Sequence, residues 1–158
     1  MRIFIRTDAS LRIGSGHLQR CLTLAESLKE KGADVQFICQ QHPRTSIQEI
    51  ERNSFVVHQI PNKKENVADD LLLGNQWQQD ADFTASFLSN NSTEIDWLII
   101  DHYSIDQRWE QTLSKFVKRI MVIDDLANRS HACDLLLDQN FYLKKNRYHS
   151  YVSKNCIQ

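Results

Sequence analysis

Arg2-Ile3-Phe4-Ile5-Arg6-Thr7-Asp8 opens the chain, and Gly14-Ser15-Gly16-His17-Leu18-Gln19-Arg20-Cys21 follows after a short connection. The first stretch is an apolar run that ends in charge, which reads as a buried strand. In the second, Leu18, Cys21, Leu22, Ala25 and Leu28 recur at helical spacing until Gly32 supplies a C-terminal stop. Strand, glycine-bearing loop and helix make a β-loop-α unit. The same rhythm continues outward from it. Residues 35–39 read as a second strand, about 45–52 as a helix entered at Pro43, and 55–60 as a third strand closed by Pro61. A polar loop follows at 62–65, then a largely helical stretch over 67–88 that Gly74 interrupts. Strands are expected at 95–101, 119–124 and 134–137, with a helix over 106–116. Because parallel neighbours need crossover connections, this alternation predicts an α/β fold: a Rossmann-like, mostly parallel sheet with helices on both faces. Residues 1–140 make that domain, and 141–158 read as an exit segment that packs poorly by itself.

Composition agrees. The 158 residues are one domain's worth, 41% hydrophobic and 25% charged, which excludes disordered and fibrous classes. Nineteen basic against twenty acidic residues leave a formal charge of −1, so the electrostatic footprint of a nucleic-acid or anionic-membrane binder is missing. No apolar run approaches the roughly 20 residues of a membrane span, and the start turns charged too early for a signal peptide, so a cytoplasmic protein is expected. Cys21, Cys39, Cys133 and Cys156 form no C-x-x-C pair and read as reduced thiols, some buried as small hydrophobes.

Ligands of open α/β sheets bind outside the carboxyl ends of the strands, so the loops there carry the functional weight. Gly14 and Gly16 permit positive φ and close backbone approach just before a helix N-terminus that favours anions. Gln19 stands where a dinucleotide fingerprint needs a third glycine, and no carboxylate follows the second strand, so NAD binding is not expected; the lack of a G-x-x-x-x-G-K-[ST] run excludes a standard P-loop. His17, in the first helical turn, feels the positive end of the helix dipole, which favours a neutral ring able to accept a proton. It reads either as a general base or as a capping and packing residue. Arg20 lies three residues on, placed for a phosphate, a carboxylate or Asp8. Arg6 and Asp8 are site residues or a structural pair. Asp101-His102-Tyr103 ends the fourth strand, as site groups or as caps. Asp124-Asp125 ends the fifth as a rim, a metal site or a cap. Asp80-Ala81-Asp82 has the form of a metal-binding D-x-D but reads as a solvated helical face, and metal binding at His131-Ala132-Cys133 is not expected.

Three blocks together carry a family resemblance. Ile5-Arg6-Thr7-Asp8-Ala9-Ser10 leading to Ile13-Gly14-Ser15-Gly16-His17 and Arg20-Cys21-Leu22-Thr23-Leu24-Ala25 resembles the N-terminal signature of the nucleotide-sugar hydrolases of pseudaminic acid biosynthesis, the PseG family. Ile99-Ile100-Asp101-His102-Tyr103 is the second block. Val122-Ile123-Asp124-Asp125-Leu126-Ala127, with Cys133-Asp134-Leu135-Leu136-Leu137-Asp138-Gln139-Asn140, is the third. A spore-coat polysaccharide family shares similar N-terminal motifs. The resemblance implies the N-terminal half of a GT-B architecture, with a second domain as partner supplying much of the nucleotide contact. It implies hydrolysis of a UDP-linked diacetamido-trideoxy sugar to UDP and free sugar, without cofactor or metal. His17 would be the base that activates water. Gly14, Ser15 and Gly16 would shape the loop around the sugar, Asp101 and Tyr103 would line it, and Arg6, Asp8 and Arg20 would support it. A GT-B glycosyltransferase using a UDP-sugar donor, or a non-catalytic ligand-binding domain, is the alternative.

Overall fold

A computed structural model describes residues 1–8, 16–41, 47–61, 77–143 and 146–158. The elements run β1 (Arg2–Thr7), α1 (Gly16–Glu30), β2 (Asp34–Gln40), α2 (Ile47–Arg52), β3 (Val56–Ile60), α3 (Trp77–Ser89), β4 (Trp97–Asp101), α4 (Gln107–Leu113), β5 (Arg119–Ile123) and β6 (Leu135–Leu137). A single 3-10 turn, Ser114–Phe116, extends α4. Among the described residues the six strands form one sheet in the order β3-β2-β1-β4-β5-β6, every neighbour parallel. This is the Rossmann-like α/β order, and its topological switch lies between β1 and β4.

The strands are near-continuous apolar runs because both sheet faces are covered. Side chains alternate between two cores. Ile3 and Ile5 of β1, Ile99 of β4 and Ile123 of β5 join Leu18, Cys21 and Ala25 of α1 and Ile47 and Ile50 of α2 on one face. Phe4, Leu98, Ile100, Ile120 and Val122 join Ala81 and Leu88 of α3 and Trp109 and Leu113 of α4 on the other. The first helix ends where the sequence expected a stop, and the fourth starts beside the expected Asp106. Gly32 adopts φ 82°, and Asp106 caps α4 by accepting the Arg108 N–H. The expected entry at Pro43, the polar loop at 62–65 and the break at Gly74 lie outside the described residues.

Two expectations are corrected. Asp80 is not on a solvated face: it is 3% exposed, because α3 buries Asp80, Ala81, Thr84 and Leu88 along one stripe. Nor does the chain pack poorly throughout beyond Asn140. Phe141 and Leu143 are almost fully exposed, but Tyr148 is buried in the α3/α4-side core with Tyr151, Val152 and Cys156 against it. Ile157 pairs in parallel with Leu135, its N–H donating to the Asp134 carbonyl and its carbonyl accepting from Leu136.

Candidate active site

The alternation that sorts the core also sorts the charges at the strand ends. Asp101 closes β4 in register with Thr7 of β1 and continues the Ile99 side, toward α1. There α1 presents His17, Arg20 and Cys21 at i, i+3 and i+4, one helical face. Asp101 Oδ1 accepts from His17 Nδ1, and both carboxylate oxygens accept from Arg20. Cys21 Sγ lies 3.4 Å from Oδ2. Arg20 Nη2 is also 2.8 Å from His17 Nδ1. A guanidinium is only a donor and an ionised carboxylate only an acceptor, so Nδ1 carries its hydrogen and the two donors converge on Oδ1. In the neutral ring the other nitrogen, Nε2, then carries the lone pair, the tautomer a general base requires.

Burial works to raise the pKa of Asp101, but hydrogen bonds from Arg20 and His17, with the Arg20 charge, outweigh it and hold the carboxyl below its ordinary 3.8. The hydrogen bond to Asp101 raises the pKa of Arg20. Burial, then the Asp101 charge, pushes the Cys21 thiol well up, so it stays protonated as a donor. Tyr103, 38% exposed, stands edge-on to His17 with ring centroids 4.4 Å apart. Burial and the neighbouring Asp125 carboxylate raise its phenol pKa.

Arg6 and Asp8 follow the Phe4 side of β1, toward α3 and α4. Arg6 Nη1 and Nη2 both reach Asp8, and Nη2 donates to Asp80 Oδ2 at 2.6 Å. Trp109 Nε1 donates to Asp80 Oδ1 at 2.8 Å. His102 Nδ1 accepts the Ser104 N–H, so its Nε2 donates to Asp8 Oδ2 at 2.9 Å. Burial tends to raise the pKa of Asp8, and the Arg6 charge with the His102 hydrogen bond drives it well below the usual range. Arg6 and Asp8 are thus paired with each other and buried.

The remaining candidates separate as well. Gly16 starts α1 without using the positive φ it permits, and a Cβ there would meet nothing within 4 Å. Gly14 and Ser15 lie outside the described residues. Arg20 meets Asp101 rather than Asp8. Asp101, which the resemblance places against the sugar, is 1% exposed and sits beneath His17 and Arg20. Asp124 caps a turn, not a helix, accepting the N–H groups of Leu126 and Ala127. His131 donates to Glu110 at 2.7 Å, and Cys133 contacts Cys156 with sulfurs 3.6 Å apart. Among the described residues no three His, Cys, Asp or Glu side chains are grouped to hold a metal ion. Sequence reasoning missed Asp80, Trp109 and the pairing of His102 with Asp8; for Asp80, its place in the i, i+1, i+4, i+8 stripe of α3 was the available signal.

The sequence has a counterpart among known proteins. The chain is 28% identical over 158 residues to the UDP-2,4-diacetamido-2,4,6-trideoxy-beta-L-altropyranose hydrolase of Campylobacter jejuni, a match taking in 99% of this chain and 48% of that enzyme. This chain is a distant relative of that hydrolase. It spans about half the length of the relative it matches. No family model matches the chain. No helix among the described residues is long and apolar enough to cross a membrane.

Proposed function

We propose that the complete protein hydrolyses a UDP-linked diacetamido-trideoxy sugar, of the kind its relative's name specifies, to UDP and free sugar. The observation that carries this reading is the hydrogen bond from His17 Nδ1 to Asp101 at the switch point of the sheet. Nε2 takes a proton from water as the water oxygen bonds to the anomeric carbon. The bond from that carbon to the pyrophosphate oxygen breaks, and its electron pair leaves with UDP. A diphosphate is already a stable leaving anion, so one positioned base suffices, contributing roughly 10²- to 10⁴-fold. Gly14, Ser15 and Gly16 shape the loop around the sugar and Tyr103 lines it. A second domain, in the GT-B manner, supplies much of the nucleotide contact and stabilises departing UDP through helix N-termini and polar groups. The reaction belongs to pseudaminic acid biosynthesis in the cytoplasm and takes no metal.

The test is to incubate the complete protein with the UDP-sugar and follow free UDP, with and without an added hydroxyl acceptor and with EDTA. UDP release in water alone, indifferent to acceptor and chelator, is the expected result. Release that depends on the acceptor identifies a glycosyltransferase instead, and binding without release identifies a ligand-binding protein.

A further inference from the structure

Cys133 and Cys156 stand 23 positions apart in the chain, yet their sulfurs lie 3.6 Å from each other. Both are free thiols. Backbone pairing brings them together. Ile157 bridges Leu135 in parallel, its N–H donating to the Asp134 carbonyl at 2.9 Å and its carbonyl accepting from Leu136 at 2.8 Å. Each cysteine thus sits one or two residues before a paired position, in adjacent segments.

The two thiols differ in access. Cys133 is 7% exposed and belongs to the α3/α4-side core, whereas Cys156 is half-buried and packs against that core from outside. Burial raises both pKa values; after it, the hydrogen bond between the two lowers that of Cys156, while the charge and hydrogen bond of Cys156 raise that of Cys133. Cys156 therefore ionises first and is the sulfur that a reagent from solvent meets. A disulfide spans about 2.05 Å, so the sulfurs need to close by about 1.5 Å, shared between two side chains. Cys21 and Cys39, 0% and 1% exposed, lack that access.

The proposed hydrolysis uses neither thiol. We propose that Cys133 and Cys156 form an oxidation site, converted by a hydroperoxide into a disulfide that clamps residues 146–158 to β6. The Cys156 thiolate attacks the peroxide, the O–O bond breaks, and hydroxide leaves as Cys156 becomes a sulfenic acid. The Cys133 sulfur then attacks the Cys156 sulfur. The S–O bond breaks, and the departing hydroxide takes the Cys133 proton as water. Two thiols lose two electrons and two protons in all, and hydrogen peroxide is reduced to two waters. The clamped stretch carries Tyr148, which donates to Asp124 Oδ2 at 2.7 Å, and Arg147, which donates to the Asp125 carbonyl at 2.9 Å. Oxidation thereby fixes the strap that holds the loop after β5.

Excess hydrogen peroxide on the 158-residue chain, quenched by alkylation in denaturant and mapped by mass spectrometry, tests this. Two of the four thiols are lost, a peptide pair joined through Cys133 and Cys156 appears two hydrogens lighter, and dithiothreitol restores both thiols. Cys156 driven to sulfinic or sulfonic acid with Cys133 still free overturns the proposal. So does a chain that keeps all four thiols, or one that links Cys21 or Cys39 instead. Cys133→Ser leaves a Cys156 sulfenic acid that dimedone traps, and Cys156→Ser slows loss of the Cys133 thiol at least about tenfold. An unchanged rate or a missing adduct overturns the assigned order, and the wild-type map decides the proposal whatever the variants' folding. The urea midpoint of the oxidised chain exceeds that of the reduced one, since the bond constrains the unfolded state. An equal or lower midpoint overturns the clamp.

Discussion

Arg6 and Asp101 end neighbouring strands one register step apart, yet they face opposite sides of the sheet. Arg6 points toward α3 and α4 and closes an ionic cluster with Asp8 and Asp80; Asp101 points toward α1 and holds His17 and Arg20. A period of two in each strand thus separates a structural network from a chemical one within a few ångströms of the same crevice.

His17→Ala or His17→Asn in the complete protein should lower turnover of the UDP-sugar at least about a hundredfold while leaving UDP affinity near its original value. A base acts in the transition state, so the loss belongs in kcat rather than in ground-state binding. Steady-state kinetics paired with calorimetric titration of UDP checks this, and wild-type-like turnover removes His17 from the mechanism.

Asp101→Asn should preserve the shape of the site but not its tautomer. The amide can donate to Nδ1, which moves the ring hydrogen to Nε2 and removes the free lone pair. Turnover should drop by roughly 10²- to 10⁴-fold. The ¹⁵N shifts of His17 report the tautomer directly. An unchanged Nδ1–H signal beside lost activity would assign the loss to Arg20, which also surrenders its carboxylate partner.

Arg6→Met should destabilise the chain by about 3–5 kcal/mol, because it strands two buried carboxylates without their cation. Both Asp8 and Asp80 are within 3% of full burial, so water offers little relief. Urea unfolding of the 158-residue chain measures it, and a loss below about 1 kcal/mol would mean the cluster is solvated.

Acid should spare this fold until late. Burial raises the pKa values of Asp8, Asp101 and Asp124, but in each case a partner cation and hydrogen bonds outweigh it and hold the folded value below 3.8. Depressed folded pKa values mean that the unfolded chain binds more protons, so their stabilisation is fully present above about pH 4 and is lost as pH falls through the folded values. The urea midpoint should therefore stay level on this account from neutrality to about pH 4 and decline below it. A decline beginning near pH 6 would point to a histidine instead.

Local sequence determined the elements. Apolar runs placed the six strands, helical spacing placed α1, and Asp106 and Gly32 marked boundaries that the backbone keeps. Those signals are short-range, since a strand's apolar run or a cap's hydrogen bond involves residues only a few positions apart. His17 and Asp101 were legible as candidates from local position alone, His17 where a glycine-bearing loop meets its helix and Asp101 where a strand meets its loop. Their hydrogen bond was not: 84 residues separate them, and only the placement of β4 beside β1 brings them together. The burial of Asp80 against Arg6 and of Tyr148 against Asp124 has the same origin. In each case an aspartate or tyrosine that is polar by composition becomes internal because its partner arrives from a distant segment. Sheet order and the two-residue alternation then decide which face of the sheet that partner occupies.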